Sequence, residues 1–268
     1  MEEKEFTRLE EARATLDAVC IAIIFDIAEN ESMDVTMIRN FIAKSVMMVR
    51  SIYNLWTISA FQECHILQRC LVDRLFYLRK LISENSFKDF EEWSSVEQHD
   101  FQMRLRADTR FKHRTSNAPP IPESEKIRIK DLKKKKMNWQ IPNAGKIAEE
   151  IGRDYLYLFS YDYGSMHIHP IATDGQQDFY TLTKIETSLE FPSNDFVLKN
   201  AIHILWLIVT DAIHYKDWPI AQELNDFFES FFKFVESGSQ QYRLDFIAFA
   251  KRLSPMEGGE KANIVGIN

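Results

Sequence analysis

The length, composition and charge of the chain exclude several classes of protein. Its 268 residues, of which 45% are hydrophobic, are enough for one sizeable core. A formal net charge of −7 argues against a surface that coats nucleic acid, and it leaves room for a local basic patch. Glycine and proline, at eight each, are scarce beside 20 phenylalanines, which favours helices over a sheet sandwich.

The cysteines and the apolar runs bear on the compartment. Cys20, Cys64 and Cys70 lie in apolar helical patterns, and an odd number without paired spacing argues against a disulfide framework. The first residues, MEEKEFTRLEEAR, are acidic and contain no signal-peptide core. The most apolar run, AIHILWLIV at 201–209, is too short to cross a bilayer. We therefore expect a cytoplasmic protein without membrane insertion.

Four helices are predicted in the first 108 residues. Apolar side chains share one face over residues 3–29, and a second amphipathic segment follows Asp34, which can cap it. A third helix is predicted over about 59–83, and a more polar fourth over 87–108. The third carries Arg69 and Asp73 four residues apart, the spacing of an ordinary surface pair on a helix.

The composition changes after residue 108. Four prolines and the basic run RIKDLKKKK at 128–136 predict a long connection over 109–142, an internal loop or insertion. Clustered ammonium groups attract phosphate, so the basic part, residues 126–137, fits a nucleic-acid contact. A solvated loop is the simpler interpretation of such a charge run and is favoured over a specific contact, although both stay open at this point.

The second half of the chain predicts a helix that Asn143 caps and that runs into the decapeptide YDYGSMHIHP, residues 161–170. Gly164 can loosen or end this helix, and Pro170 cannot lie in its interior. A polar, turn-rich stretch over 171–194 follows.

Three helices are predicted to complete the chain, over about 195–215, 218–236 and 239–252. Residues 253–268 are predicted to be a flexible tail. The sequence thus predicts an all-α protein with one domain over 1–252, a single bundle of about seven to eight helices interrupted by the connection in the middle.

The decapeptide supports three chemical interpretations. A histidine transfers protons near neutral pH, and the hydroxyls of Tyr and Ser orient a substrate. Alternatively, His167 and His169 with Asp162 or Asp174 supply metal ligands, although a histidine pair with this spacing is not specific to metal sites. In the third interpretation the same rings fill a helix interface and have a structural role.

Two segments resemble a bacterial family described as a domain of unknown function. The first is LQRCLVDRLFYL at 67–78, with an Arg and an acidic residue four positions later. The second is WQIPNAGKIAEEIGRDYLYLFSYDYGSMHIHP at 139–170. The positions that match the family pattern are Arg69, Asp73, Tyr161, Ser165 and His169.

That family is similar to HEPN domains, helical bundles that often act as metal-independent ribonucleases. The resemblance implies a bacterial defence or toxin protein that cleaves RNA without a cofactor, using a histidine aided by an arginine, often across a homodimer. HEPN domains carry an Arg four to six residues before the His. No Arg precedes His167 or His169 at that distance, so Arg69 would have to approach His169 in space.

The resemblance implies the following roles. His169 transfers the proton, Arg69 stabilises the charge on phosphate, and Asp73 orients Arg69. The predicted substrate-positioning residues are Tyr161, Ser165 and His167. Two rival functions stay open: a noncatalytic binding module that uses the same Tyr/His surface, and a metal-dependent hydrolase.

The run FFESFFKF at 227–234 bears on oligomeric state. Its five phenylalanines exceed what one face of a lone helix can bury, which is typical of a homodimer interface. A helix that is buried on most of its sides would have the same composition. Homodimerisation is therefore one of two predictions from this run.

Overall fold

The computed structural model describes residues 3–28, 32–110, 120–135, 138–168, 172, 175–186, 195–215 and 221–253. These residues contain helices and no strand, which confirms the all-α class. Helix α7 spans 154–166 and consists of Asp154–Leu156, a π-helical turn Tyr157–Asp162, and Tyr163–Met166. The other helices are α1 Glu3–Asp26, α2 Met33–Thr57, α3 Phe61–Glu84, α4 Phe87–Ala107, α5 Glu123–Lys134, α6 Ala144–Glu150, α8 Gln176–Thr183, α9 Asp195–Tyr215, α10 Ala221–Ser237 and α11 Tyr242–Leu253.

The described residues thus form eleven helices rather than seven to eight, and three differences account for the change. Helix α5 lies inside the predicted connection, and α8 lies inside the stretch predicted to be turn-rich. The predicted helix after Asn143 is divided into α6 and α7 at Gly152, whose φ of +62° is left-handed and ends the first helical segment.

The prediction of an irregular connection is wrong over α5. Acidic residues lie in its first turn and lysines in its last, which complements the helix dipole, and Ile129 and Leu132 are buried. Arg128 pairs with Glu91 of α4, and Lys133 pairs with Asp100. Much of the basic run is therefore a helix that packs on α4, with part of its charge neutralised by α4.

The core lies between α2, α3 and α9. The buried hydrophobic side chains form one cluster that extends from Leu9 of α1 to Phe249 of α11. Within the described part of the chain, the segment Phe196–Tyr215 of α9 has the length and apolarity to cross a membrane, with a mean hydropathy of 1.6. Residues 201–209 alone are too short to cross a bilayer, as predicted, but the whole helix is long enough. However, 67% of the segment is buried inside the protein. This burial is typical of a core helix.

The phenylalanine-rich run lies in α10 and is mostly buried. Phe227, Phe228, Phe231 and Phe234 are at most 2% exposed, whereas Phe232 is 37% exposed. The run therefore fits a helix that is buried on most sides, and homodimerisation stays a prediction without this support. The predicted tail lies outside the described residues except for Leu253, the last residue of α11.

Candidate functional site

The two segments that carry the family pattern meet where α7 packs against α3. The guanidinium of Arg69 donates from Nε to Ser165 Oγ at 2.9 Å and from Nη1 to Asp73 Oδ2 at 2.8 Å. It also donates from Nη2 to the Tyr161 hydroxyl at 3.3 Å, and its Cζ lies 4.7 Å from the centroid of the Tyr161 ring. Four of the five matching positions are thus brought together around one arginine.

Gly164 explains why α7 approaches α3 so closely. A Cβ atom at this position would lie 2.6 Å from the carbonyl oxygen of His65 and 2.8 Å from Cβ of Arg69. Any larger residue would therefore push the two helices apart. The next residue along the chain is Ser165, so this close approach brings the serine hydroxyl within hydrogen-bonding distance of Arg69.

The π-helical turn of α7 places Tyr161 over the arginine. It ends where the N–H of Tyr163 donates to the carbonyl of Leu158, five residues back. Isolated π turns inside α-helices occur frequently at functional sites, because the extra residue changes the direction of the side chains that follow. Nothing in the sequence pattern predicted this turn, and in the structure Leu158 and Phe159 are exposed, although a regular amphipathic helix would bury such apolar side chains.

The surroundings of Arg69 fix its direction. Three of its five N–H groups are used by the three hydrogen bonds, which leaves one N–H on each terminal nitrogen without a partner among the described residues. Ser165 is itself held, because its hydroxyl donates to the Tyr161 carbonyl at 2.7 Å. Burial raises the pKa of Asp73, and the nearby Arg69 and Arg74 oppose this rise.

Arg69, Asp73 and Tyr161 line a cleft with a volume of about 490 Å³. The lining contains three cationic side chains and one carboxylate, so the cleft favours an anion. Lys44 and Arg74 form no ion pair with a carboxylate anywhere in the described ranges, although Arg74 donates to the carbonyl of Cys70. The remaining lining residues are Asn40, Phe41, Tyr77, Ile141 and Pro142.

His167, predicted to position a substrate, does not line this cleft. Its ring stacks on His65 at 5.8 Å between centroids and meets the edge of Tyr163 at 4.9 Å. His65 and Tyr163 also contact each other, at 4.8 Å. His167 is therefore part of an aromatic cluster beside Gly164, which fits the structural interpretation of this histidine.

His169 lies outside the described residues, so its distance from Arg69 stays a prediction. Asp174, one of the predicted metal ligands, also lies outside them. Among the residues that the structure does describe, no group of three or more His, Cys, Asp or Glu side chains is arranged to hold a metal ion.

Several residues of the cleft were not among the predicted site residues. Tyr77 lies four residues after Asp73, as Asp73 does after Arg69, so helical spacing alone could have placed all three on one face. Lys44 comes from α2 and gave no signal, since an exposed lysine on an amphipathic helix is ordinary. Gly164 gave a misleading signal, because a glycine in a helix was taken to weaken it.

Comparison with known proteins places this cluster within one family. Residues 35–178, 144 of the 268, match the model of a family of unknown function, DUF5677. No curated protein and no solved structure matches the chain. The matched region includes Arg69, Asp73, Tyr161 and Ser165, as well as Gly164. Because the match covers more than half of its length, the chain belongs to DUF5677, a family of unknown function.

Proposed function

We propose that the cleft binds a phosphate group of RNA and that Arg69 is the residue that contacts it. The observation that carries this proposal is the fixed guanidinium at the wall of a cationic cleft, with one N–H of each terminal nitrogen unused by any residue that the structure describes. Two such N–H groups match two oxygens of a phosphate, which is the geometry that makes arginine the preferred phosphate ligand.

The other lining residues suit a nucleic acid better than an isolated ion. Lys44 and Arg74 add positive charge beside Arg69, and Phe41 and Tyr77 add aromatic surface to the lining, which suits contact with a base. The volume of about 490 Å³ falls within the range of roughly 300–1,000 Å³ that is usual for small-ligand sites. One nucleotide of a single strand would fill much of it.

Metal-independent cleavage of RNA is the second candidate, in line with the resemblance to HEPN domains. The observation that favours it is that Ser165 and Asp73 hold the Arg69 guanidinium in one direction, as stabilisation of a developing charge requires. In this reaction His169 accepts the proton of a ribose 2′-hydroxyl, and the 2′-oxygen attacks phosphorus. The 5′-oxygen leaves and takes a proton, while Arg69 stabilises the added negative charge.

Binding is tested with fluorescein-labelled single-stranded RNA and purified protein at low salt. We expect Arg69→Ala to abolish saturable binding and Arg69→Lys to weaken it, because lysine cannot make the two-pronged contact. Arg50→Ala is the matched control, since Arg50 is a helix arginine paired with Asp17 and lies outside the cleft. Equal binding by Arg69→Ala and Arg50→Ala would refute the proposal.

Cleavage is tested in the same buffer with excess chelator. The second candidate predicts chelator-resistant products that disappear with Arg69→Ala and with His169→Ala, while His169→Ala still binds RNA. Binding without cleavage by the unmodified protein would reject this candidate and leave the binding module.

Asp73→Asn separates the two candidates further. The substitution removes the negative charge nearest Arg69, so simple phosphate binding should become tighter. A reaction that needs Arg69 in one direction should become slower, because the arginine loses its charged hydrogen-bond partner. Measuring affinity and rate on one preparation shows which effect prevails.

A further inference from the structure

The π-helical turn of α7 buries and exposes side chains against their polarity. Ser160 is fully buried, and its hydroxyl makes no hydrogen bond within the described part of the chain. The two preceding residues, Leu158 and Phe159, are 54% and 65% exposed. An unpaired buried hydroxyl destabilises a structure, and an exposed phenylalanine gives up the gain from burial. Burial alone would therefore not select this register of α7.

Helix α3, which packs against α7, also has a buried polar side chain to which the described residues offer no hydrogen-bond partner, and this residue is next to Arg69 in the sequence. Gln68 directly precedes Arg69 and is fully buried, and neither its amide nitrogen nor its amide oxygen has a hydrogen-bond partner among the described side chains and backbone. Buried polar groups in folded proteins almost always find a partner, and each exception needs an explanation. Gln68 of α3 and Ser160 of α7 are such exceptions, and they lie in the two helices that meet at Arg69.

One end of the turn is fixed and the other is not. Downstream, the close contact of Gly164 with His65 and Arg69 disfavours any larger residue in its place, so a shift of residues 163–166 by one position is unfavourable. Upstream, the extra residue of a π turn can pass along the helix as the N–H groups change carbonyl partners. Only residues 157–161 would then rotate, by about 100° for a one-residue change.

We infer that this turn is a conformational switch that covers and uncovers Arg69. In the state described, the Tyr161 ring lies over the guanidinium and its hydroxyl occupies one N–H. In the second state the π turn lies closer to the N-terminus of α7, Ser160 leaves the interface, and Tyr161 leaves the guanidinium. The switch regulates the cleft of the proposed function and rests on that function: the described, resting state offers phosphate two N–H groups of Arg69, and the second state adds the N–H that Tyr161 occupies, so phosphate binds the second state more tightly.

Ser160→Ala tests the switch, because it removes the unpaired hydroxyl and stabilises only the resting state. A ligand that prefers a minor state binds more weakly when the population of that state falls. We expect RNA affinity to fall about tenfold, which corresponds to about 1.4 kcal/mol. Ser230→Ala is the control, since Ser230 is also buried in a helix but donates to the Phe227 carbonyl at 2.9 Å, away from the cleft. It should leave the affinity unchanged.

Hydrogen exchange tests the switch without any ligand. In Ser160→Ala the amides of 157–162 should exchange about tenfold more slowly than in the unmodified protein, while those of α10 stay the same. Unchanged exchange at 157–162 overturns the inference whether or not RNA binds. If Arg69→Ala abolishes binding but Ser160→Ala matches the unmodified protein in affinity and exchange, the switch is wrong and the proposed function stands. If no RNA binds, the proposed function fails, and the exchange result alone decides for or against the switch.

Discussion

Replacement of Gly164 by alanine should separate the two helices that form the site. The added methyl group would lie 2.6 Å from the His65 carbonyl oxygen, a backbone atom that cannot move without moving α3. Overpacking of this kind usually destabilises by about 1–3 kcal/mol. Alanine also restricts the unfolded chain, which returns about 0.4–1 kcal/mol. We therefore expect a net loss of about 1–2 kcal/mol in the free energy of unfolding.

Gly145→Ala provides the matched control. Gly145 also lies in a helix, but the nearest atoms to an added Cβ are 3.7 Å away, which is ordinary contact. This variant should keep or slightly raise the stability, because only the unfolded-state effect applies. The same chemical change thus has opposite signs at two glycines 19 positions apart in the sequence.

Thermal and urea unfolding, followed by circular dichroism, measure the difference. A change of 1 kcal/mol shifts the melting temperature of a protein of this size by about 2–4 °C, so Gly164→Ala should melt several degrees below Gly145→Ala. The variant should also lose RNA binding, because Ser165 moves away from Arg69. Equal melting temperatures for the two variants would refute the reasoning about close packing.

Further predictions concern buried titratable groups and α10. Burial raises the pKa of Asp211 to about 7, although Arg79 opposes this rise. This residue therefore makes the free energy of unfolding fall as pH rises from about 4 to about 7. Asp211→Asn should remove that fall, as urea midpoints measured across the range would show. Burial lowers the pKa of His203 to about 4, so the stability gained from keeping this ring neutral is lost as pH falls from about 6.5 to about 4. His203→Gln should flatten that part of the same stability profile. Unchanged profiles in the two variants would contradict both assignments. Phe231→Ala should lower the free energy of unfolding by about 3–5 kcal/mol, because only 1% of this side chain is exposed. Phe232→Ala should lower it much less, because 37% of its side chain is exposed. Similar losses in urea unfolding would count against the packing of α10.

Apolar periodicity was sufficient to predict the long helices. α2, α3 and α9 bury continuous stripes, so their apolar residues repeat every three or four positions over more than 20 residues. Apolar periodicity did not predict α5, because this helix packs on α4 through only two buried residues, Ile129 and Leu132, and its remaining surface is charged. Charge and proline content indicated a loop there, while ion pairs with α4 and the dipole-compatible ends stabilise a helix.

The composition of the site was easier to predict than its geometry. Arg69, Asp73, Tyr161 and Ser165 were selected from a resemblance in residue pattern, and periodicity gave no reason for α3 and α7 to meet. The meeting depends on Gly164, whose missing side chain is informative only once the opposite backbone is known. The π turn depends on one extra residue in a helix, and no spacing rule distinguishes such a residue from an ordinary one.

Asp73 bears on why this arginine is held so firmly. A site that only attracts phosphate would be better without a carboxylate, since its charge opposes the ligand and cancels one of three cations. Burial makes this carboxylate less favourable still, as the raised pKa of Asp73 indicates. Its presence is explained if the direction of the guanidinium matters more than the strength of attraction. Direction matters most when charge develops at a defined position during a reaction. The Arg69–Asp73 pair is therefore a feature that the second candidate, RNA cleavage, explains, whereas the cationic lining as a whole supports the proposed binding of phosphate.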